Sequence, residues 1–472
     1  MATFALASWA TNLTYANLTA PVIDAAVKSI YNWAGCAIGG FTQDAPHIAL
    51  NTTVAAGFGG PATSSILGMN GTAGDEGNGL AFADAQVAAF INGIASHVDD
   101  YDDTHLATVI HPSGVVASAL LAVAEARSRT SREEGGGGGG GPVSGPEFLT
   151  AFVAGVEAEL HLGRSVFPEH YDVGWHITST TGSIGAAVAV GKLLGLDTAR
   201  AQHAIGIAST QVVGMQAFFG SMTKSFHVGR ATQSGLLAAL LAREGYTSSL
   251  TALEDRYGWL HVVSTRENAS AEFALLGGTW EIEANTFKPY PCGIVMHPAI
   301  DGAIQINNET LAQGKAISLD SVKAIDLRVN PEVLVLTGQT DPQTGLAGKF
   351  SIYHAAAVGL LYGQATPAQF TDAVVLNSTV VGLRKLVNVT TDAGVAEDAA
   401  YVNVTFSDGS TTSKYVEHAI GSLANPLTVD ELKTKFMDQV TKQIGKARAE
   451  KAYAAFTNIG NMTDVGKVRT LF

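Results

Sequence analysis

The sequence predicts a mainly α-helical protein, with a large all-helical domain and a smaller α+β domain inserted late in the chain. Through roughly the first 250 residues, apolar side chains recur at helical spacing. From about residue 278, short segments alternate between apolar and polar side chains, as strands do. Helical spacing returns after residue 426. We therefore expect a helical first part at 1–278, an α+β domain at 279–422 and a helical return at 423–472.

The predicted helices of the first part share apolar stripes and clear start or stop signals. Pro21 and Pro112 lie in first turns, where the missing N–H costs nothing. Gly195 and Gly245 follow last turns. The helices are predicted at 21–38, 84–98, 112–127, 183–194, from 198 onward, and at 227–243. Seven consecutive glycines at 135–141 predict a flexible loop between two helices.

The later part of the chain mixes strands and helices. Alternation predicts strands at 279–285, 324–329 and 401–406. Helices are predicted at 298–306 and 352–361. Thr428, followed three residues later by Glu431, forms a capping box that marks the start of the returning helix.

Composition narrows the class of protein. The chain has a formal net charge of −14 and no run of Lys or Arg, so we expect no nucleic-acid partner. No segment reaches the roughly 18 uninterrupted apolar residues of a membrane helix, so we expect no membrane partner. Cys36 and Cys292 are too few for a disulfide scaffold or a cysteine-rich zinc site, and they favour a reducing compartment. We expect a cytoplasmic protein, with the mitochondrion as an open alternative.

The densest group of titratable residues is at 97–111, where four acids and three histidines occur within 15 residues. Neighbouring carboxylates repel each other, so such a group usually binds a cation or performs acid–base chemistry. The residue types could bind a divalent metal, but the spacing matches neither HExxH nor an EF-hand. Adjacent helical residues point in different directions. The four acids are Asp99, Asp100, Asp102 and Asp103. We expect one or two of them to point into a pocket, and the others to be exposed to solvent or bonded to backbone.

Four further segments combine proton-transfer or cationic side chains with glycine or proline at helix ends. They are 174–178, 223–230, 287–298 and 349–354. Helix ends are places where side chains from distant segments converge on a cleft. Taken singly, each histidine, lysine or tyrosine in these segments is more often structural than functional, so only their joint occurrence indicates a site.

Six short motifs occur in order along nearly the whole chain. They are Asp100-Tyr101-Asp102-Asp103-Thr104, His111-Pro112-Ser113, Gly174-Trp175-His176, Thr223-Lys224 with His227, the run from Lys288 to Gly293, and the run from Lys349 to Tyr353. This set resembles the MmgE/PrpD family, which includes 2-methylcitrate dehydratase, cis-aconitate decarboxylase and iminodisuccinate epimerase. The resemblance implies a homodimer whose α+β domain is a lid over the helical domain. It also implies no metal, no organic cofactor and a small di- or tricarboxylate substrate bound between the domains.

The resemblance also implies the site residues. The catalytic residues would be Asp100, His111, His176 and Tyr353. The substrate-binding residues would be Thr104, Lys224, His227 and Lys288. Lysines can pair with substrate carboxylates, and a histidine can gain or lose a proton near neutral pH. Hydroxyl groups suit a carboxylate or a departing hydroxyl.

Three reactions of the family stay open at this point. The first hypothesis is dehydration of a 2-methylcitrate-like or other alkylcitrate substrate, and the alternatives are decarboxylation of cis-aconitate and epimerisation of an iminodisuccinate-like compound. A hypothesis of another class is a non-catalytic protein that binds a carboxylate. Decarboxylases of the family can carry a histidine shortly after the second lysine, where this chain has Gly293. That difference favours dehydration.

Overall fold

The computed structural model describes residues 1–69, 82–133 and 141–472 and shows a mainly α-helical protein. The predicted loop at 135–141 lies almost entirely outside these residues. The helices of the first part are α1 (Ala2–Asn12), α2 (Ala20–Gly40), α3 (Asp44–Ala55), α4 (Ala85–His97), α5 (Pro112–Glu133), α6 (Gly145–Val166), α7 (Glu169–Asp172), α8 (Ile177–Leu193), α9 (Thr198–Ser209), α10 (Met222–Arg243) and α11 (Trp259–Val262).

Later helices are α12 (His297–Ala312), α13 (Glu332–Thr337), α14 (Gly345–Gly348), α15 (Ile352–Tyr362), α16 (Asp372–Val375), α17 (Ser378–Arg384), α18 (Val429–Ile444) and α19 (Lys446–Thr457). The strands are β1 (Ser64–Ser65), β2 (Phe82–Ala83), β3 (Asp103–His105), β4 (Asn285–Phe287), β5 (Val322–Val329), β6 (Val387–Thr391), β7 (Ala400–Phe406) and β8 (Thr411–Val416).

The local signals read from the sequence account for several helix starts. The Asp84 side chain accepts hydrogen bonds from two N–H groups in the first turn of α4. Thr428 and Glu431 form the predicted capping box of α18. Two starts differ from prediction: α8 begins six residues earlier than expected, and α10 five residues earlier. These extensions put His176 at the N-cap of α8 and Lys224 in the first turn of α10.

The strand predicted at 279–285 is wrong. Residues Glu281–Ala284 form a short 3₁₀ helix, and only Asn285–Phe287 is a strand. The backbone N–H groups of Glu281 and Ile282 donate to the buried carboxylate of Glu157 at 3.1 and 2.8 Å. Because a side chain of α6 satisfies these donors, the segment has no need of a strand partner there. The other two predicted strands are confirmed as β5 and β7.

Buried apolar side chains form two main clusters. The first contains residues from 2–282 and 432–468, and the second contains residues from 292–404. In the second cluster, helices α12 and α15 pack beside a four-stranded sheet in the order β6-β5-β7-β8, where only the β5–β6 pair is parallel. The predicted division at 278/279 and 422/423 stays a prediction. Within the described ranges, every helix is too short or too polar to cross a bilayer.

Close packing of α4 against α10 brings together two segments that carry predicted site residues. A Cβ placed on Gly93 would lie 2.8 Å from the Cα of Gly229, and one placed on Gly229 would lie 2.5 Å from the Phe90 carbonyl. Glycine at these positions therefore lets the two backbones touch. As a result, the C-terminal end of α4 and the N-terminal turn of α10 lie on the same side of the molecule.

Candidate active site

A narrow cleft lies between the two apolar clusters. One wall comes from the helical part and carries Asp100, Thr104, Val109, His111, Tyr171, His176, Phe219 and Lys224. The opposite wall carries Lys288 and then largely apolar residues: Gly293, Ile294, Val295, Leu336, Thr337 and Phe350. Six of the eight residues implied by the resemblance therefore meet in one cleft, although their segments are distant in sequence.

The turn after α4 positions Asp100. The Asp100 N–H donates to the His97 carbonyl at 3.0 Å, and Asp100 has a φ of 51°. This left-handed conformation is one that Asp tolerates better than most residues. The chain then enters β3, which pairs with β4 so that Phe287 lies opposite Asp103. Because Lys288 follows directly, it reaches Asp100 from 188 residues further along the chain.

Four buried lysines from four distant parts of the chain contact the acidic segment at residues 99–103. The ammonium groups of Lys224 and Lys288 both pair with the Asp100 carboxylate, the second at 3.2 Å. Lys349 Nζ donates to the Asp99 carbonyl at 2.7 Å, and Lys435 Nζ donates to a backbone carbonyl of the same segment at 2.6 Å. The segment is therefore held rigidly by charge-assisted hydrogen bonds.

These contacts correct one expectation, that some of the clustered acids would face solvent. All four are buried, with exposures of 7% for Asp99, 3% for Asp100, 1% for Asp102 and 0% for Asp103. The lysines that neutralise Asp99 and Asp100 come from other parts of the chain, whereas His97, the partner of Asp102, belongs to the same group. Spacing within the group therefore held no information about the lysine partners.

The charge balance of the cleft favours an anionic ligand. Burial alone would raise the pKa of Asp100, but Lys224 and Lys288 hold that pKa well below its usual range. Two ammonium groups thus face one carboxylate. Lys224 Nζ also lies 5.1 Å from the ring centroid of Phe219 and 5.3 Å from that of Phe350, so aromatic faces replace water around it. Among the residues that line the cleft, positive charge therefore exceeds negative charge, and a ligand carboxylate would be attracted to it.

The hydrogen bonds of His111 fix its tautomer. Its Nδ1 lies 2.7 Å from the Asp103 carbonyl oxygen, which can only accept, so Nδ1 carries the proton. The Thr104 hydroxyl lies 3.0 Å from the same nitrogen. Burial, followed by the charge of Lys288, holds the pKa of His111 well below its usual range. The ring is therefore neutral at pH 7, and its Nε2 is free to take up a proton.

His176 and His227 form a second histidine pair. Their Nδ1 atoms lie 3.1 Å apart, so one ring donates to the other. Burial lowers the pKa of both rings, that of His227 to about 4. His176 lines the cleft, whereas His227 lies behind it and is not among the lining residues. His227 thus reaches the cleft only through its hydrogen bond with His176. Its substrate-binding role stays a prediction.

Tyr353 is not brought to this cleft. It is the second residue of α15, half-buried, and packs against the second apolar cluster. Among the described lining residues, Leu336, Thr337 and Phe350 make the wall on that side instead. The catalytic role that the resemblance implies for Tyr353 stays a prediction without support from its position.

Sequence reasoning missed several residues of this region. Lys349 lies in the segment 349–354, where only Tyr353 is predicted to have a role. Lys435 lies in α18 and gave no signal, because a single lysine on a helix is normally exposed. His97 and Asp102, which bond to each other at 2.7 Å, were in the densest titratable group. Their signal was present, but spacing alone did not show which of the acids faced a histidine.

One group of residues has the ligand types of a metal site. Potential ligand atoms of His97, Asp100 and His111 lie within 4.8 Å of one another, and all three residues are buried. However, the Asp100 carboxylate is already bound by Lys224 and Lys288. A divalent cation at this position would meet two ammonium groups at close range, so the electrostatics oppose it.

A mainly helical chain with a buried cleft of lysines, carboxylates and neutral histidines has the groups that acid–base chemistry needs. The MmgE/PrpD N-terminal domain model matches residues 5–272, and the MmgE/PrpD C-terminal domain model matches residues 290–459. The chain belongs to the MmgE/PrpD family. The prediction of family membership is therefore confirmed, and so is the assignment to the lyases, the class of the relatives described next.

Relatives with established names include members of two lyase groups. A cis-aconitate decarboxylase-like protein of Aspergillus oryzae is 26% identical, over 99% of this chain and 96% of its own length. Human cis-aconitate decarboxylase is 27% identical, over 81% of this chain and 78% of its own length. The 2-methylcitrate dehydratase of Escherichia coli K12 is 25% identical, over 75% of each chain.

Proposed function

We propose that this protein removes water from a small alkyl-substituted tricarboxylate, such as 2-methylcitrate or a longer alkylcitrate, using only its own side chains. One observation carries the proposal: a neutral histidine, His111, lies in the same cleft as two ammonium groups held on a single carboxylate. Such a cleft binds carboxylates and has a base ready beside them. Proton removal next to a carboxylate is the step that this arrangement suits.

Substrate binding would be governed by Lys224 and Lys288. One substrate carboxylate would sit against the two ammonium groups, which already share Asp100. As a proton leaves the neighbouring carbon, negative charge spreads onto that carboxylate. Pre-positioned cations stabilise this charge in the transition state more than in the ground state, which is the condition for catalysis.

His111 can act as both the base and the acid of the reaction. Its Nε2 takes the proton from the carbon, the C–H electron pair forms the C=C bond, and the C–O bond to the hydroxyl breaks. The protonated ring is then a strong acid, because burial disfavours its charge. It returns the proton to the departing hydroxyl, which leaves as water. The ring ends neutral, ready for another turnover.

The apolar part of the wall that carries Lys288 supports an alkyl substituent. Ile294, Val295, Leu336 and Phe350 present apolar surface to the cleft. A citrate-type substrate without an alkyl group would present only a hydrogen there and would bury less apolar surface. A methyl or longer alkyl group would gain from burial there, by about 0.8 kcal/mol for each CH₂.

Decarboxylation is the second candidate. The observation in its favour is that a cis-aconitate decarboxylase-like relative is similar over 99% of this chain. In that reaction the C–C bond to a carboxylate breaks, carbon dioxide leaves, and the electron pair on carbon takes a proton. An apolar wall would also promote loss of a desolvated carboxylate. The two candidates therefore need a product measurement to separate them.

The experiment is to incubate the purified protein with 2-methylcitrate, longer alkylcitrates and cis-aconitate, and to identify products by mass. Loss of water from an alkylcitrate supports the proposal, and loss of carbon dioxide from cis-aconitate supports the second candidate. The matched control is His111→Asn, which keeps a donor in the position of Nδ1 but removes Nε2. Turnover that persists in this variant would contradict the role of His111.

The expected homodimer is part of this proposal. An exposed apolar groove between α3 and α10 supports it, because Ile48 and Phe58 are 55% and 70% exposed there and Phe226 is 44% exposed. Sedimentation equilibrium of the purified protein gives the mass in solution. A monomer at micromolar concentration would contradict this part of the proposal.

A further inference from the structure

Two buried side chains behind the cleft have no role in the steps above. His97 Nδ1 lies 2.7 Å from Asp102 Oδ2, with side-chain exposures of 0% and 1%. Burial alone would raise the pKa of Asp102, but His97, which is hydrogen-bonded to it, lowers that pKa below the usual range, so the group is an ionised carboxylate. An ionised carboxylate only accepts hydrogen bonds, so His97 Nδ1 carries the proton.

Asp102 faces a second histidine as well. Its other oxygen, Oδ1, lies 3.8 Å from His111 Nδ1. This distance is too long for a hydrogen bond, and the N–H group at His111 Nδ1 donates to the Asp103 carbonyl instead. Among the described residues, Asp102 Oδ1 has no hydrogen-bond partner. A full negative charge thus lies beside His111 in a region of low polarity, where charges interact strongly.

We propose that Asp102, held in place by His97, is a positioning residue whose negative charge stabilises His111 in its protonated state during turnover. This inference rests on the proposed function, because it assumes that His111 takes up a proton. In that step the proton moves from the substrate carbon to His111 Nε2, and the electron pair remains on the substrate. Asp102 forms no bond and stays ionised.

The neighbouring acids are less suited to this role. The Asp100 carboxylate is committed to Lys224 and Lys288. Asp103 Oδ2 accepts from Ser113 at 2.5 Å and from Asn285 at 2.6 Å. Burial, followed by the charge of Asp102, raises the pKa of Asp103 to about 6. Asp102 is therefore the acid whose charge is both fixed and directed at His111.

His97 adds more than a hydrogen bond. Its ring centroid lies 5.0 Å from that of His111 and 5.7 Å from that of His176, and it is stacked on the latter at 25°. His97 thus fills the space behind both cleft histidines and fixes where Asp102 can lie. The charged and titratable groups that face His111 are Asp100, Asp102, His97, His176, Lys224 and Lys288.

The first test is kinetic. Asp102→Asn keeps the shape but removes the charge, so we expect kcat to fall by about 10²-fold or more while KM changes by a few-fold at most. The acid limb of the pH–rate profile should move to lower pH, because protonated His111 loses its counter-charge. His97→Asn, which keeps a donor near the position of Nδ1, should retain more activity than His97→Leu.

The control is Glu125→Gln, which neutralises a buried carboxyl that bonds to Ser65 outside the cleft. Its kcat and pH profile should match the wild type. If Asp102→Asn and Glu125→Gln lose activity equally, or if Asp102→Asn changes only the melting temperature, Asp102 has a structural role and the inference is wrong.

The second test does not depend on turnover. Imidazole resonances of isotope-labelled protein, with His111 assigned from His111→Asn, report the protonation of His111 directly. In Asp102→Asn the His111 titration should move to lower pH. An unchanged titration in an active enzyme overturns the inference and leaves the proposed function intact. A shifted titration in a protein that converts none of the acids overturns the proposed function and leaves the Asp102–His97 pair supported.

Discussion

Lys288 and Asp100 form an ion pair at 3.2 Å that is sealed from solvent, with side-chain exposures of 1% and 4%. The pair joins the segment after β4 to the turn after α4, so it has a structural role as well as a place in the cleft. Lys224 contacts the same carboxylate from α10. The groups that we propose to bind a substrate anion are therefore in place before the substrate arrives, which lowers the cost of ordering them.

Removing Lys288 should affect both stability and turnover. Lys288→Gln leaves the buried Asp100 charge with a single partner, and breaking a buried pair costs about 3–5 kcal/mol. Turnover should fall by about 10²–10³-fold, because one of two cations at the developing charge is lost. Denaturant unfolding and steady-state kinetics measure the two effects. The control is Lys315→Gln, whose exposed pair with Asp408 is screened by water, so both measurements should stay close to the wild type.

The pH dependence of the reaction should follow His111. Burial, followed by the charge of Lys288, holds its pKa well below the usual range, so the ring is neutral across neutral pH. Because the neutral ring is the active form, kcat should be flat near neutrality and should fall only as the pH drops through this lowered pKa. A pH–rate profile tests this expectation. A loss of activity already at pH 6.5 would contradict it, since that is the ordinary pKa of histidine.

Six of the residues that line the cleft were predicted from the resemblance of short motifs to a known family, and these motifs lie at helix ends and turns. His111 precedes Pro112, and His176 follows Gly174 and Trp175. Such local signals survive in a single sequence. The sequence did not show which distant residues contact the acidic segment. Lys435 reaches the carbonyl of Tyr101 across 334 residues, and no periodicity records a contact of that range.

The fold shows the same division between local and distant information. The capping box at Thr428 was confirmed because both of its residues belong to one turn. The strand predicted at 279–285 was wrong because Glu157, on a different helix, binds the backbone of that segment. Alternation of side chains is a weak signal when a distant acceptor competes for the backbone donors.

Activity should survive removal of divalent metals. Two ammonium groups on the Asp100 carboxylate oppose cation binding by His97, Asp100 and His111. Dialysis against a chelator, followed by assay with the best acid substrate, should leave the rate unchanged, and added Zn²⁺ or Mg²⁺ should not increase it. Loss of activity on chelation and its return with either metal would show instead that the three side chains bind an ion.

Replacement of Glu159 by glutamine should stabilise the protein at neutral and alkaline pH. Glu159 is 0% exposed, and among the described residues neither carboxylate oxygen has a hydrogen-bond partner. Burial, followed by the charge of Asp103, raises its pKa well above the usual range, so the folded protein holds the acid neutral. The unfolded chain ionises above about pH 4.3, and folding stability falls as the pH rises beyond that value.

Glu159→Gln has no proton to retain, so it lacks this pH-dependent loss. Its free energy of unfolding should exceed that of the wild type at pH 8 and approach it near pH 4. Urea unfolding at both pH values makes the comparison. Glu159→Ala is the contrasting variant, because it leaves a cavity in the core and should be destabilised at both. Equal stability of Glu159→Gln and wild type at pH 8 would show that the acid has partners when ionised.

His161 should give a stability change of known sign in the alkaline range. Burial alone would lower its pKa, but the carboxylates of Glu157, at 3.4 Å, and Glu272, at 3.2 Å, raise it to about 9. The folded state thus prefers the protonated ring, and the unfolded state has the ordinary value of about 6.5. This stabilisation is fully present below pH 6.5 and is lost as the pH rises through 9. His161→Asn removes it, so the difference in unfolding free energy between wild type and variant should shrink between pH 6.5 and pH 10. A difference that stays constant over this range would mean that His161 is neutral in the folded protein.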